Sequence, residues 1–212
     1  MFVKIKRAIS QNKYFWKYKH LIPNLFTNPK WRPKTINKIF VDIIKQKKIN
    51  SILDFGFGRG EFLTELHEAR TLKFLMGVDI NHKNVINLNK KLNHPNVFLA
   101  REFDREIFTK KIHDFGQKKI DLIVFDRVLY IFSDKELFKL LDSISEITSY
   151  IFIDDFMKTD LLNSSEYLHR DWIKILKNYR FKIEFEIDSI NGQPINCYSR
   201  TLLFSRDCLK EN

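Results

Sequence analysis

The residues best suited to chemistry stand between positions 51 and 61, where the chain reads SILDFGFGRGE. A short apolar run ends in the acid Asp54, and three glycines then alternate with other residues: Gly56, Gly58 and Gly60. Glycine lets the backbone turn with positive φ and lets a ligand lie against bare main chain. An amphipathic stretch follows, and the start of a helix offers N–H groups and the positive end of its dipole. The pattern predicts a strand, a turn and a helix that hold a nucleoside cofactor.

The spacing of the glycines favours one kind of cofactor over another. Dinucleotide-binding loops read G-x-G-x-x-G, whereas this loop reads G-x-G-x-G and Glu61 follows it. The carboxylate of Asp54, two residues before the first glycine, would repel a pyrophosphate. It suits S-adenosylmethionine, which has no phosphate but carries an ammonium and a sulfonium.

This segment resembles the first motif of the class I S-adenosylmethionine-dependent methyltransferases, and the resemblance covers roughly residues 51–206. Their second motif is an acid that ends the next strand, which KFLMGVDI supplies as Asp79. The resemblance implies that Asp79 accepts hydrogen bonds from the two ribose hydroxyls. The cofactor-binding residues that it implies are Asp54, Gly56, Phe57, Gly58, Gly60, Asp79, Ile80, Phe103 and Asp126.

The third motif of this family is weaker in the chain. Members often have a Gly-Asp pair after the third strand, near the adenine, but NVFLAREFD has no glycine there. Glu102, Phe103 and Asp104 all remain candidates for the adenine contact.

Further acids stand where the fourth and fifth strands are predicted to end, and ligands of open α/β sheets bind at such ends. They are Asp126 in IDLIVFDRVLY and Asp154–Asp155 in SYIFIDD. The chain is similar here to the O-methyltransferases that hold Mg²⁺ with an acid after the fourth strand and an acidic pair after the fifth. That similarity implies a Mg²⁺ site of Asp126, Asp154 and Asp155. A hard cation takes carboxylate oxygens and lowers the pKa of a bound hydroxyl.

The stretch FDRVLYIFSDKELFKLL also resembles the metal-free branch of the family, in which the residues after the fourth strand line the pocket. Asp154 or Asp155 would then cap a loop. The candidate general bases are Asp126, Asp155 and His169. The side chains that could reach an anionic or sugar-like substrate are Tyr130, Arg127 and Arg170, and each has a simpler interpretation as a structural residue.

The order of elements predicts an α/β fold: a doubly wound, seven-stranded, mostly parallel sheet with a C-terminal antiparallel hairpin. Continuous apolar runs (SILDF, FLMGVDI, NVFLA, DLIVF and SYIFIDD) are typical of parallel strands buried on both faces. Helical patterns separate most of them, with a looser segment up to Gly116 and a helix over residues 166–177. Ser133 and Glu136 form a capping box. The strands FKIEFEIDSI and NCYSRTLLF flank a turn at residues 191–194.

Positive charge is concentrated at the start of the chain. The formal net charge is +11, and residues 1–50 alone contain thirteen Lys or Arg and one acid, Asp42. We expect a basic, aromatic arm over residues 1–32 and a methyltransferase domain over residues 33–212. Such asymmetry is typical of a chain with an anionic partner, although solvated lysines also explain it.

The remaining composition bears on location. The two cysteines of the 212-residue chain lack metal-ligand spacing, and lysines and an arginine interrupt the first apolar residues. We therefore expect a cytoplasmic protein with no membrane span. The predicted function is methylation of a small-molecule or sugar-like hydroxyl. An RNA or DNA methyltransferase that binds phosphates with the basic arm is the alternative, and a cofactor-binding module without catalysis is a third hypothesis.

Overall fold

The computed structural model describes residues 38–70, 72–157, 168–190 and 198–207. Within this part of the chain seven strands form one sheet in the order 3-2-1-4-5-7-6. They are β1 (Ser51–Phe55), β2 (Phe74–Val78), β3 (Val97–Ala100), β4 (Ile120–Asp126), β5 (Thr148–Phe156), β6 (Phe181–Asp188) and β7 (Ser199–Arg206). The first five strands are parallel, and β7 runs antiparallel to both β5 and β6. The predicted doubly wound sheet with its antiparallel hairpin is confirmed.

Helices cover both faces of this sheet. They are α1 (Lys38–Gln46), α2 (Glu61–Glu68), α3 (His82–Leu92), α4 (Arg105–Asp114), α5 (Asp134–Ile144) and α6 (Trp172–Lys177), and a 3₁₀ turn, η1, spans Leu129–Ile131. Buried side chains of α1, α2 and α3 pack together on one face, and those of α4, α5 and α6 pack on the other. We call these the α1 face and the α4 face.

Strand residues alternate between the two faces, because successive side chains point to opposite sides of a sheet. In β4, Leu122 and Val124 join the α1 face, whereas Ile123 and Phe125 join the α4 face. Side chains on both faces are buried, which explains why the strands read as apolar runs rather than as alternating apolar and polar residues.

Two elements differ from the sequence prediction. Helix α4 occupies the stretch that was expected to be looser, with Phe108 and Ile112 buried one helical turn apart. Helix α6 begins at Trp172, six residues later than residue 166, and residues 158–167 lie outside the described ranges. The capping box at the start of α5 is confirmed, since Ser133 and Glu136 each bond the other's backbone.

Two further expectations fall on positions that the structure does not describe. The proposed arm over residues 1–32 and the turn over residues 191–194 both lie outside the described ranges. Among the helices that are described, none has the length and apolar character needed to cross a membrane.

Candidate functional site

The site lies where the strand order reverses, between the carboxyl ends of β1 and β4. Phe55, the last residue of β1, is level with Val78 on one neighbouring strand and with Phe125 on the other. The residues that follow, Asp79 and Asp126, therefore flank the start of the glycine loop from its two sides. Crevices at such switch points are where open α/β sheets bind ligands.

The glycine loop has the backbone that its sequence predicts. Gly56, Gly58 and Gly60 have φ angles of 82°, 61° and 79°, in the left-handed region that residues with a side chain rarely adopt. Gly56 also has no room for a side chain, because a Cβ there would lie 2.6 Å from Cγ2 of Val128. Gly60 likewise has no room for a Cβ, because Leu88 of α3 occupies the space beside it. The two glycines are thus packed against Val128 and α3, and these positions can present only main chain to a ligand.

Asp79 is bonded directly to this loop. Its Oδ2 accepts the Gly58 N–H at 2.7 Å, and its Oδ1 accepts the Asn81 N–H at 2.8 Å. The side chain of Asn81 in turn accepts from the N–H groups of Lys83 and Asn84 and caps α3. A carboxylate oxygen can accept more than one hydrogen bond, so the carboxylate is held rigidly while it remains an acceptor for hydroxyls.

Asn81 and Val128 contribute to the site but were not singled out from the sequence. Asn81 carries a recognisable signal, an amide residue immediately before a helix. Val128 carries none, because its contact with Gly56 arises only when β4 and β1 lie side by side.

The other predicted cofactor residues differ in what they can offer. Asp54 is the penultimate residue of β1, lies on the α1 face and is 4% exposed. The Phe57 side chain is 3% exposed and packs over Gly77, so this residue can offer a ligand only its main chain. Ile80 is half-buried beside Asp79.

Of the three candidates for the adenine contact, Phe103 has the best position. Glu102 is exposed, and Asp104 caps α4 by accepting the Ile107 N–H at 3.0 Å. The half-buried ring of Phe103 lies near those of Phe55 and Phe108, at centroid distances of 6.1 Å and 4.8 Å. Phe103 follows β3, which pairs with β2, the strand that leads to Asp79.

Asp154 is enclosed by polar groups of the protein. Its Oδ1 accepts from Nε of Arg127 at 3.0 Å, and its Oδ2 accepts the Ile190 N–H at 2.9 Å and Oγ1 of Thr201 at 2.6 Å. The hydroxyl of Ser189 contacts both oxygens. Arg127 has φ 51°, a strained value for a residue with a side chain, and its N–H donates to the Asp154 carbonyl. This buried ion pair fixes the end of β4 against β5.

Asp155 points to the other side of the sheet, and both of its oxygens accept backbone N–H groups. Oδ2 accepts from Leu129 and Oδ1 from Phe156, each at 2.7 Å. The side chain is 0% exposed, so Asp155 does not face a substrate as the predicted catalytic residue would.

The predicted Mg²⁺ site does not fit this arrangement. Asp126 and Asp154 are level on neighbouring strands, but Asp155 lies on the opposite face and Asp154 is neutralised by Arg127. Across the described ranges, no group of three or more His, Cys, Asp or Glu side chains is arranged to hold a metal ion. The three carboxylates are instead separate structural and surface features of the sheet edge.

The stability of the fold should depend on pH through the buried carboxyl of Asp155. Burial raises the pKa of its carboxyl from 3.8 to about 7, against the opposing effects of the Phe156 N–H, the Arg127 charge and the Leu129 N–H. The folded protein therefore binds this proton more tightly than the unfolded chain. The stability that results is complete below pH 3.8 and is lost as the pH rises through about 7.

We expect this pH dependence to disappear in the Asp155→Asn variant. The difference in unfolding free energy between wild type and variant should fall by up to about 1.4 kcal/mol per pH unit between pH ~4 and ~7. Urea denaturation across that range measures it. Parallel stability curves for the two proteins would contradict the assignment.

The remaining predicted residues lie around the carboxyl end of β5. His169 is half-buried, precedes α6 rather than standing on it, and its ring lies 5.6 Å from that of Phe156. The ring of Tyr130 lies 5.2 Å from Phe156 on another side. Arg170 is 6% exposed and bonds the protein's own carbonyls, so it does not reach toward an anionic substrate.

Comparison with known proteins supports what the geometry indicates. The model of a methyltransferase domain family matches residues 17–200, which is most of the chain. No curated protein sequence matches significantly. The chain therefore belongs to this methyltransferase domain family, and it is an S-adenosylmethionine-dependent methyltransferase of the class I fold.

Solved structures share this fold at low sequence identity. The N-methyltransferase NodS from Bradyrhizobium japonicum has a TM-score of 0.59 and 14% identity, over 85% of this chain and 98% of that one. An S-adenosylmethionine-dependent methyltransferase from Clostridium acetobutylicum has 0.56 and 14%, over 93% and 99%. The mitomycin 7-O-methyltransferase MmcR has 0.54 and 14%, with 76% of this chain covered. The chain spans only about half, 50%, of MmcR.

Proposed function

We propose that the chain binds S-adenosylmethionine between the glycine loop and Asp79 and transfers its methyl group to the oxygen of a small-molecule or sugar-like hydroxyl. The observation that carries the proposal is the hydrogen bond from the Gly58 N–H to Asp79, which joins the loop and the acid in one rigid unit. The donor supplies an electrophilic methyl carbon on a sulfonium.

Each part of the crevice contacts a different part of the cofactor in this proposal. The bare main chain from Gly56 to Gly60 lies along the amino-acid tail, and Asp54 and Asp126 attract its ammonium. The Asp79 carboxylate accepts from the two ribose hydroxyls. Ile80 and Phe103 cover the adenine with apolar surface. Orientation of this kind lowers the barrier of a displacement reaction by about 7–11 kcal/mol, because the entropy of approach is lost on binding.

Support for an oxygen acceptor comes from Asp126. An alcohol must lose its proton as the methyl is transferred, and a half-buried carboxylate beside the crevice can accept that proton. His169 is a second candidate base. MmcR is a 7-O-methyltransferase and NodS is an N-methyltransferase, so the fold itself does not select the atom.

The test is transfer of labelled methyl from S-adenosylmethionine to pools of hydroxyl compounds, amines and RNA, with and without EDTA. We expect label in the hydroxyl pool and no loss of rate with EDTA. Label in the amine pool alone would contradict the oxygen acceptor. Loss of all activity with EDTA would contradict the metal-free site.

The two roles of Asp126 can be separated with the Asp126→Asn variant. If the carboxylate acts on the acceptor, turnover at saturating cofactor should fall by about 10²–10⁴-fold. If it acts mainly on the ammonium, the affinity for S-adenosylhomocysteine should fall instead.

The basic start of the chain favours one alternative, a nucleic-acid methyltransferase. Thirteen Lys or Arg against one acid over residues 1–50 would release counterions on binding phosphates, so affinity for RNA would fall steeply with salt. A flat salt response would end this alternative. We also propose a cytoplasmic location for the protein.

A further inference from the structure

Leu129, the first residue of η1, is held by ionisable side chains at both of its backbone polar groups. Its N–H donates to Oδ2 of Asp155 at 2.7 Å, and its carbonyl accepts from Nη1 of Arg170 at 3.0 Å. Both ionisable residues are buried, at 0% and 6% exposure. A three-residue turn cannot hold itself in place so firmly, because it has few hydrogen bonds of its own.

Arg170 binds more of the same segment. Its Nη2 donates to the Phe132 carbonyl at 2.5 Å, and its Nε donates to Oδ1 of Asp134, the first residue of α5, at 3.0 Å. The guanidinium carbon lies 5.7 Å from the Trp172 ring, and Nε1 of Trp172 donates to the Phe156 carbonyl at 2.9 Å. Arg170 thus ties the whole connection between β4 and α5 to the end of β5.

This connection also forms one wall of the cofactor crevice. It begins with Arg127, directly after Asp126, and Val128 fills the space that the missing side chain of Gly56 leaves. A shift of Leu129 would move the adjacent Val128, and the glycine loop would lose the surface on which it packs.

We propose that Arg170 and Asp155 are positioning residues of the methyltransferase site, which act on the cofactor through Leu129 and Val128. This inference rests on the proposed cofactor site. It assigns a role to two buried ionisable side chains that bond the protein's own backbone. A planar guanidinium is needed, because three acceptors lie in different directions and lysine offers a single point charge.

The chain offers a matched control for Arg170. Arg206 likewise donates to a backbone carbonyl, that of Ser145, and to a carboxylate, Glu146 at 2.8 Å. It lies near the amino end of β5, away from the glycine loop. Arg170→Gln and Arg206→Gln therefore remove the same kinds of bond from opposite ends of the sheet.

We expect Arg170→Gln to weaken S-adenosylhomocysteine binding by about tenfold or more. The variant loses the buried hydrogen bonds that the guanidinium donates, so the connection between β4 and α5 can move away from the glycine loop. Amide hydrogen exchange over residues 126–133 should speed up in the same variant. Arg206→Gln should leave both quantities at the wild-type value, even if its Tm falls. Arg170→Lys, which keeps the charge and is the milder change, should show the same loss in affinity and faster exchange.

The results separate this inference from the proposed function. Wild-type protein that does not bind S-adenosylhomocysteine would overturn the proposed cofactor site, and the positioning role with it. If wild type binds, but Arg170→Gln or Arg170→Lys matches Arg206→Gln in affinity and in exchange, only the positioning role is overturned. If Arg170→Gln does not fold, Arg170→Lys decides by the same two measurements.

Discussion

Replacement of Asp79 by alanine is expected to weaken S-adenosylhomocysteine binding by at least about 100-fold. The carboxylate would make two charged hydrogen bonds to the ribose, each worth about 1.5–3 kcal/mol, and every 1.4 kcal/mol is tenfold in affinity. Its loss also releases the N–H groups of Gly58 and Asn81, so the loop no longer has its fixed shape. Isothermal titration calorimetry measures the affinity.

Asp104→Ala is the control for this prediction. Asp104 likewise accepts a backbone N–H, that of Ile107, but it does so at the exposed start of α4. The variant should lose about 0.5–2 kcal/mol of stability and keep its affinity. Asp79→Ala protein that binds as tightly as wild type would show that the ribose is held elsewhere.

The second large effect is expected for Gly56→Ala. The new methyl group would lie 2.6 Å from Cγ2 of Val128, and the residue would keep a φ of 82° that costs alanine about 1–2 kcal/mol. Overpacking adds about 1–3 kcal/mol. We expect a clear fall in Tm together with loss of S-adenosylhomocysteine binding, measured by thermal denaturation and calorimetry.

Two further variants separate backbone strain from the clash. Gly116 has a similar φ of 71°, but a Cβ there meets nothing within 4 Å. Gly116→Ala should therefore lose only the stability that backbone strain costs, and its affinity for S-adenosylhomocysteine should not change. The double variant Gly56→Ala/Val128→Ala removes the clash and should recover part of the lost stability. If Gly56→Ala and Gly116→Ala are equally destabilised, the loop does not pack on Val128.

Much of the fold could be predicted because local patterns agree with the tertiary structure. Buried parallel strands are apolar on both faces, and the glycine loop needs backbone angles that only glycine adopts easily. The sequence does not predict helix α4 for a physical reason: only Phe108 and Ile112 are buried, and charged residues fill most of its other positions.

The candidate site could be predicted only in part. Asp54, the glycines and Asp79 are close in sequence to the elements that position them, so their spacing was informative. The pairing of Asp154 with Arg127, and of Arg127 with Ser189 and Ser199, joins residues that are far apart in the chain. No local pattern shows that a carboxylate at a strand end will be neutralised in this way, so the sequence alone predicts a metal site at the acidic pair.

The central claim is that the glycine loop and Asp79 form a site for S-adenosylmethionine rather than for a dinucleotide. Calorimetric titration of the wild-type chain with S-adenosylhomocysteine and, separately, with NAD tests it most directly. We predict saturable binding of one S-adenosylhomocysteine per chain and no measurable binding of NAD. Binding of NAD with no response to S-adenosylhomocysteine would contradict the account.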